Sequence, residues 1–171
     1  MNRTLALSVL LFLAAPCFGQ AKAPAKKTAP AMGTIVPAGE EKWGDIPASA
    51  LVGTPSVEMG GKLQLAVVQG NPMQAGSPYT VRLSCTDGTK IAPHWHPTTE
   101  NVTVIKGTFE IGMGSKWDPK ALKDLPPGSF ASAPARMRHF AMCKGDGIVQ
   151  VHGLGPLVIN FVEVEKPASG N

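Results

Sequence analysis

Apolar and polar residues alternate in short runs along the chain from about residue 51 onward. In the run that begins at Tyr79, Val81, Leu83 and Cys85 share one face, and the residues between them are polar. Successive side chains of a β-strand point to opposite faces, so this alternation is typical of a half-buried strand. Similar runs recur roughly every ten residues and are separated by glycine and proline turns, up to a last strand at 157–164. The pattern predicts an all-β sandwich or barrel.

The turns between these runs are predicted from their glycines and prolines. Asp87-Gly88 is a strong turn signal. Residues 106–108 (Lys-Gly-Thr) predict a hairpin, and residues 145–147 (Gly-Asp-Gly) predict a turn ahead of the next strand. Residues 115–125 predict a loop with one helical turn near Pro119. Glycine (19) and proline (16) together exceed a fifth of the 171 residues, which argues against a helical fold.

The N-terminus has the features of a secretory signal peptide. Arg3 gives a short positive region, residues 5–15 are apolar, and small residues precede a cleavage point after Gly19. An apolar run of this length is too short to span a bilayer, which takes about 20 residues. A lipoprotein anchored through Cys17 is the alternative, although the proline before that cysteine fits it poorly. We therefore expect an exported protein, periplasmic where the host has an outer membrane, with no stable membrane insertion after cleavage.

Four segments follow from these signals. Residues 1–19 are predicted to be the signal peptide, 20–42 a flexible tail, 43–166 the folded domain and 167–171 a short C-terminal tail. Trp43 is expected to pack the tail against the domain.

The net charge of +4 comes from the N-terminal region rather than from the folded domain. Four basic residues and no acidic ones precede residue 40, and from there onward basic and acidic residues are equal in number. No basic stripe interleaved with aromatic residues is visible, so a nucleic-acid partner is not expected.

Two histidines and a carboxylate lie within seven residues in the middle of the chain. His94 and His96 are two apart, so on a strand they share one face. Residues 97–99 break that strand, and Glu100 opens a new alternating run in which it can turn back inward. Two imidazoles and a carboxylate suit a borderline or hard divalent metal. A fourth ligand is expected from elsewhere in the chain, and His139 is the best candidate.

This stretch resembles the first motif of the cupin family. That motif reads Gly, five residues, His-x-His, three or four residues, Glu, six residues, Gly. The chain has the required residue at each position: Gly88, His94, His96, Glu100 and Gly107.

The second cupin motif is matched less fully. Gly128, Pro134 and His139 fit it, whereas Arg136 stands where a glycine is expected and Cys143 where an asparagine is expected. The resemblance covers about residues 45–165. The segments P-H-W-H-P-T-x-E and V-Q-V-H-G-x-G-P are similar to secreted bacterial cupins grouped with the ChrR-type cupin domain.

The resemblance implies a single jelly-roll β-barrel with one divalent metal ion held by His94, His96, Glu100 and His139. Four protein ligands leave one or two positions open on Fe, Mn or Ni, while Zn would be nearly saturated. The favoured function is a metal-dependent, oxidative, dioxygenase-like enzyme that acts on a small molecule; its catalytic residues are not identified. The alternatives are a non-catalytic module that senses or binds a metal or small ligand, and a barrel whose histidines hold no metal. A homodimer formed through a sheet edge is compatible with each function.

The remaining candidates are less specific. Once the signal peptide is removed, Cys85 and Cys143 could form one disulfide, but two buried free thiols are the favoured state. His152 is either a substrate-facing acid or base, or a histidine satisfied by backbone at the barrel mouth. Trp95 is expected to pack outside the cavity.

Overall fold

A computed structural model of the chain describes residues 33–162. The predicted signal peptide, residues 20–32 of the predicted tail, residues 163–166 of the predicted domain, and the C-terminal tail lie outside the described residues. Among residues 33–162, no helix is long and apolar enough to cross a membrane. The regular secondary structure of the described part is strand, apart from 3₁₀ turns at Ala48–Ala50 and Pro119–Ala121. The strands are β1 (Leu51–Val52), β2 (Leu63–Gly70), β3 (Pro78–Cys85), β4 (Lys90–Trp95), β5 (Glu100–Met113), β6 (Lys123–Leu125), β7 (Phe130–Ala133), β8 (His139–Leu154) and β9 (Ile159–Phe161).

Two long antiparallel strands, β5 and β8, form the spine of the sheet. The C-terminal half of β8 pairs with β3, which in turn pairs with β2, and the N-terminal half of β5 pairs with β7. The other halves continue into β4, β9 and β1 on one side and into β6 on the other. The sheet therefore curls into two facing layers that share β5 and β8.

The predicted turns at 106–108 and 145–147 are wrong as strand ends. Both β5 and β8 run through these positions, and their register shifts there as the pair bends from one layer into the other. Gly107 has φ of +73°, and a Cβ at this position would lie 2.6 Å from the backbone oxygen of Asp146. A glycine with a left-handed backbone occurs both in β-bulges and in hairpin turns. The presence of a glycine therefore does not distinguish a bulge from a hairpin.

The region predicted as a loop also contains a short strand. The helical turn is present at Pro119–Ala121, where Asp118 caps it by accepting a hydrogen bond from the backbone N–H of Lys120. Strand β6 then pairs with β5 through Ile111 and its neighbours. Its alternation is too short to have been recognised in the sequence.

The core lies between the two layers and follows the predicted alternation. Val81, Val149 and Val151 are fully buried, whereas Gln150 between the last two faces outward. Aliphatic and aromatic side chains of β3, β5 and β8 make up most of this core. The predicted all-β fold, a single curled barrel, is confirmed.

The expectation of two free thiols is wrong, because Cys85 and Cys143 form a disulfide. Their Cα atoms are 6.3 Å apart, within the range a disulfide can span. Cys85 ends β3 in one layer, and Cys143 lies on the part of β8 that belongs to the other layer. The bridge therefore joins the two layers close to the bend.

The segment before the first strand is attached to the outside of the barrel. Gly44 and Leu65 exchange two backbone hydrogen bonds of 2.9 and 2.8 Å, and the neighbouring Trp43 is half-buried. Nearby, the carboxylate of Glu41 forms an ion pair with Arg82 of β3. Arg82 is thus engaged on the outer face.

Candidate metal centre

The four predicted ligands meet between the two layers, at the end of the barrel away from the disulfide. His94 is on β4 and His96 follows the end of that strand, while Glu100 and His139 begin β5 and β8. All four are buried. One ring nitrogen from each of the three histidines lies within 4.8 Å of the others, so the three could hold a metal ion.

Backbone carbonyls determine which nitrogen of each ring faces inward. The Nδ1 atoms of His94, His96 and His139 lie 2.7, 2.8 and 3.1 Å from the carbonyl oxygens of Ala92, Val158 and Met137, respectively. A carbonyl oxygen only accepts hydrogen bonds, so each Nδ1 must carry its proton and donate it. A ring that is neutral then presents the lone pair of Nε2, which is the arrangement that supports a metal-bound histidine.

Glu100, on the strand next to His139, lies beside two of these histidines. Its Oε2 lies 3.1 Å from Nε2 of His139 and 3.5 Å from Nε2 of His96. The buried Nε2 of His96 has no hydrogen-bond partner among the described residues. A buried polar atom without a partner is costly, so one aimed at two other imidazoles and a carboxylate fits a bound cation.

The protonation of the group follows from burial and mutual charge. Burial, reinforced by the nearby His139 and His96, lowers the pKa of His94 to about 3. Burial opposes a charge on His96 as well, but the carboxylate of Glu100 outweighs it and raises the pKa of His96. The imidazoles of His96 and His139 likewise outweigh burial at Glu100 and hold its pKa well below the ordinary value. The group therefore favours a carboxylate and a neutral His94, both competent ligands.

The cavity beside these ligands is small and apolar. Its volume is about 40 Å³, enough for a few water-sized groups. Apart from His94, His96, Glu100 and His139, its walls are aliphatic and aromatic side chains, such as that of Phe109.

Comparison with solved structures decides the fold. KdgF from a Halomonas species aligns over 71% of this chain and 92% of its own, with 20% identity and a TM-score of 0.50. The polyketide cyclase RemF from Streptomyces resistomycificus aligns over 79% and 89%, with 14% identity and a TM-score of 0.56. The chain has the cupin fold.

The other comparisons do not assign the chain to a narrower group. An RmlC-like cupin from Shewanella frigidimarina aligns more loosely, over 56% of this chain and 78% of its own, with 21% identity and a TM-score of 0.45. No protein-family model and no curated protein sequence matches the chain. The finer resemblance to ChrR-type cupins stays a prediction.

Other residues singled out in the sequence lie outside the cupin cavity. Trp95 packs outside, as predicted, with the guanidinium of Arg136 located 5.5 Å from its ring centroid. His152 is exposed on the outer face of β8, because the alternation that buries Val151 turns its neighbour outward. The hypothesis of a substrate-facing His152 is therefore wrong.

Tyr79 is a neighbour of the site that the sequence analysis did not single out. Tyr79 and Glu100 both pair with Gly153, from opposite sides, and a Cβ on that glycine would lie 3.4 Å from the phenol oxygen. Burial, and then the charge of Glu100, raises the pKa of Tyr79. The alternation along β3 places Tyr79 on the same inward face as Val81, which indicates that it is buried. No local pattern in the sequence indicates that it lies near Glu100.

Proposed function

We propose that the protein is an exported, metal-dependent cupin enzyme that acts oxidatively, like a dioxygenase, on a small molecule. The observation that carries the proposal is the set of three imidazoles whose Nδ1–H groups are held by backbone carbonyls. The Nε2 atoms of His96 and His139 lie 3.5 and 3.1 Å from the carboxylate of Glu100. An apolar core gains nothing from such an arrangement, whereas a cation does.

The four side chains would divide the work of holding the ion. His94, His96 and His139 would supply nitrogen ligands and Glu100 an oxygen ligand, a set that suits Fe, Mn, Ni or Zn. Bound there, such an ion supplies Lewis-acid or redox chemistry at the positions that the protein leaves open. The apolar walls would exclude bulk water and strengthen electrostatic interactions within the site.

The compartment of the proposal is supported by two independent features. Residues 1–19 have the pattern of a signal peptide. The disulfide between Cys85 and Cys143 is of a kind that forms and persists mainly in oxidising compartments.

The solved neighbours do not supply the substrate. RemF is described as a polyketide cyclase, but at 14% identity the likeness extends to the fold alone. The substrate must therefore be sought from the site itself.

The proposal is tested on protein exported with its own signal peptide and purified without chelators. Elemental analysis should find about one divalent ion per chain, and an oxygen electrode should detect uptake with a member of a phenol, organic-acid and thiol panel. His96→Ala should abolish both results. His152→Ala is the matched control, because it removes an exposed histidine from the outer face. A metal-loaded protein that turns over nothing would contradict the enzymatic part of the proposal.

A second candidate is a non-catalytic module that binds a metal or a small ligand. The cavity volume of about 40 Å³ favours it, because a substrate of ordinary size does not fit inside. This candidate predicts stabilisation by the ligand without turnover. Tight zinc binding with no exchangeable water would support it.

A further inference from the structure

A second concavity lies against the metal cavity, on the side where the loop 53–61 connects β1 to β2. Its volume is about 510 Å³, within the usual range for pockets that bind small molecules. We call it the side groove. Ile91, Ile159 and Phe161 form its buried floor, and Leu51 and Gly60 lie on its exposed rim.

The side groove and the metal cavity have a common wall. Ile46, Leu63, Ile91 and Ile159 line both spaces. These four aliphatic side chains are therefore what separates a molecule in the groove from the ligand group. The cavity of about 40 Å³ admits water-sized groups only, so a larger reactant would have to lie on the groove side of this wall.

The chemistry of the groove is uniform. Its lining residues are aliphatic residues, glycines, Pro55, Met59 and Phe161, and none of them carries a charged, hydroxyl or amide side chain. A charged or strongly polar ligand would lose its hydration there and gain no partner. An uncharged apolar ligand would gain free energy in proportion to the area it buries.

The loop that forms the outer wall of the groove is anchored to the barrel. The carbonyl of Met59 accepts a 2.6 Å hydrogen bond from the backbone N–H of Lys90. Gly61 has φ of +56° and lies so close to Thr89 that a Cβ would overlap the threonine hydroxyl. The backbone N–H of Lys62 also donates a 2.9 Å hydrogen bond to Oγ1 of Thr86. The groove is thus formed before any ligand arrives, which lowers the entropic cost of binding.

We propose that the side groove binds an uncharged, apolar small molecule and holds it against the common wall, next to the metal centre. This inference rests on the proposed function and narrows its substrate class. It extends the site beyond the four polar side chains to a surface that includes Leu51 and Met59.

The test uses N-phenyl-1-naphthylamine, an uncharged apolar fluorophore, titrated into the zinc-loaded protein. We expect saturable emission with one probe per chain. Leu51→Glu places a carboxylate on the groove rim and should weaken binding at least tenfold. Val52→Glu is the matched control, because Val52 is exposed on the same short strand and does not line the groove. Equal weakening in both variants would overturn the proposal.

A second measurement tests contact with the metal centre. Replacement of zinc by paramagnetic Co(II) should quench the bound probe, and His96→Ala should remove this quenching but leave probe binding intact. Binding without any Co(II) effect, in protein shown to contain Co(II), would overturn the placement of the molecule next to the centre. If the protein binds the probe but takes up no metal, the groove is a binding site and the proposed metal-dependent function is wrong.

Two other occupants would also overturn the proposal. If probe binding falls as protein concentration rises, alongside a growing dimer fraction in sedimentation, a second copy covers the groove. If the probe binds only after residues 163–171 are removed, the chain's own C-terminal segment occupies it.

Discussion

The two ends of the barrel join the same pair of layers by opposite means. At the bend, the layers are connected by the Cys85–Cys143 disulfide and by the continuous strands β5 and β8. At the other end, they meet through His94, His139 and Glu100, which are buried and polar. The first end is joined by a covalent bond, and the second contains a buried cluster of titratable groups.

The difference indicates where stability and chemistry are located. A buried polar group that lacks a partner costs about 1–3 kcal/mol, so the ligand cluster is an expensive way to join two layers. A covalent link at the far end lets the cluster be kept for a purpose other than folding. Rigid support around a polar site is also what holds its side chains in a productive geometry.

Removal of the disulfide should lower the stability of the protein by weakening the connection at the bend. The bridged residues are 58 positions apart, so the variant Cys85→Ala/Cys143→Ala should lose about 4 kcal/mol of unfolding free energy. Chemical denaturation measures this loss, and wild-type protein in reductant is the control. Metal content at low denaturant should stay unchanged; a variant that folds but binds no metal would show that the two ends are not independent.

Removal of a proposed ligand at the other end should lower metal affinity and have little effect on stability. His96→Ala takes away one nitrogen donor, and we expect metal affinity to fall by about a hundredfold or more, equivalent to roughly 2.7 kcal/mol. Competition with a chromophoric chelator measures the affinity. The thermal midpoint of the metal-free protein should change only modestly. Full metal content in this variant would contradict the assigned ligand set.

Acid should act on the ligand end through His94 and Glu100. The folded pKa of His94 is about 3, below the ordinary 6.5, so its contribution to stability is present above pH 6.5 and is lost as the pH falls toward 3. The lowered pKa of Glu100 acts with the same sign below pH 4.5. The raised pKa of His96 acts oppositely, since its contribution is present below pH 6.5 and lost as pH rises through the folded value.

We therefore expect the chelator-treated protein to lose stability between pH 6.5 and about 3. Thermal melts across this range measure the effect, and His94→Gln, which cannot titrate, should flatten the curve. An unchanged slope in that variant would assign the acid sensitivity to other groups.

Arg136 offers a smaller test beside the ligands. It has φ of +65° where the cupin motif has glycine, and its backbone N–H donates a 2.8 Å hydrogen bond to the carbonyl of His96. Arg136→Gly and Arg136→Ala both remove the contact with Trp95, but only alanine keeps the left-handed penalty. The glycine variant should be more stable than the alanine variant by about 1 kcal/mol in denaturant titrations. Equal stabilities would mean that the loop relaxes around either residue.

The smallest effect is expected from Asp118→Asn. Asn keeps an oxygen that can accept the 2.9 Å hydrogen bond from the backbone N–H of Lys120, so the turn should remain capped. Metal content by elemental analysis should be unchanged. A marked loss of metal would place a ligand in this loop and invalidate the present set.

The features that the sequence predicted are those that depend on local spacing. The shared face of His94 and His96 follows from strand alternation, as does the burial of Val81. The meeting of Glu100 with His139 came from the motif as a whole, because no local rule brings residues 39 positions apart together.

The features that were missed depend on register between distant strands. A bridge between Cys85 and Cys143 requires the layers to be placed to within about 1 Å, which alternation does not provide. The side groove combines residues from 46 to 161 and has no sequence signature of its own. The left-handed backbone of Gly107 is predicted correctly from the sequence. The continuation of strand β5 beyond this glycine is not, and for that reason the position was assigned to a hairpin.

Strands β5 and β8 belong to both layers, and this has a consequence for how the chain reaches its native state. Neither layer can be completed first, since each needs half of the same two strands. Folding should then be cooperative and slow, because the entropy of closing long loops must be lost before most pairing is gained. For the proposed export, a chain that folds slowly would still be unfolded when it is translocated.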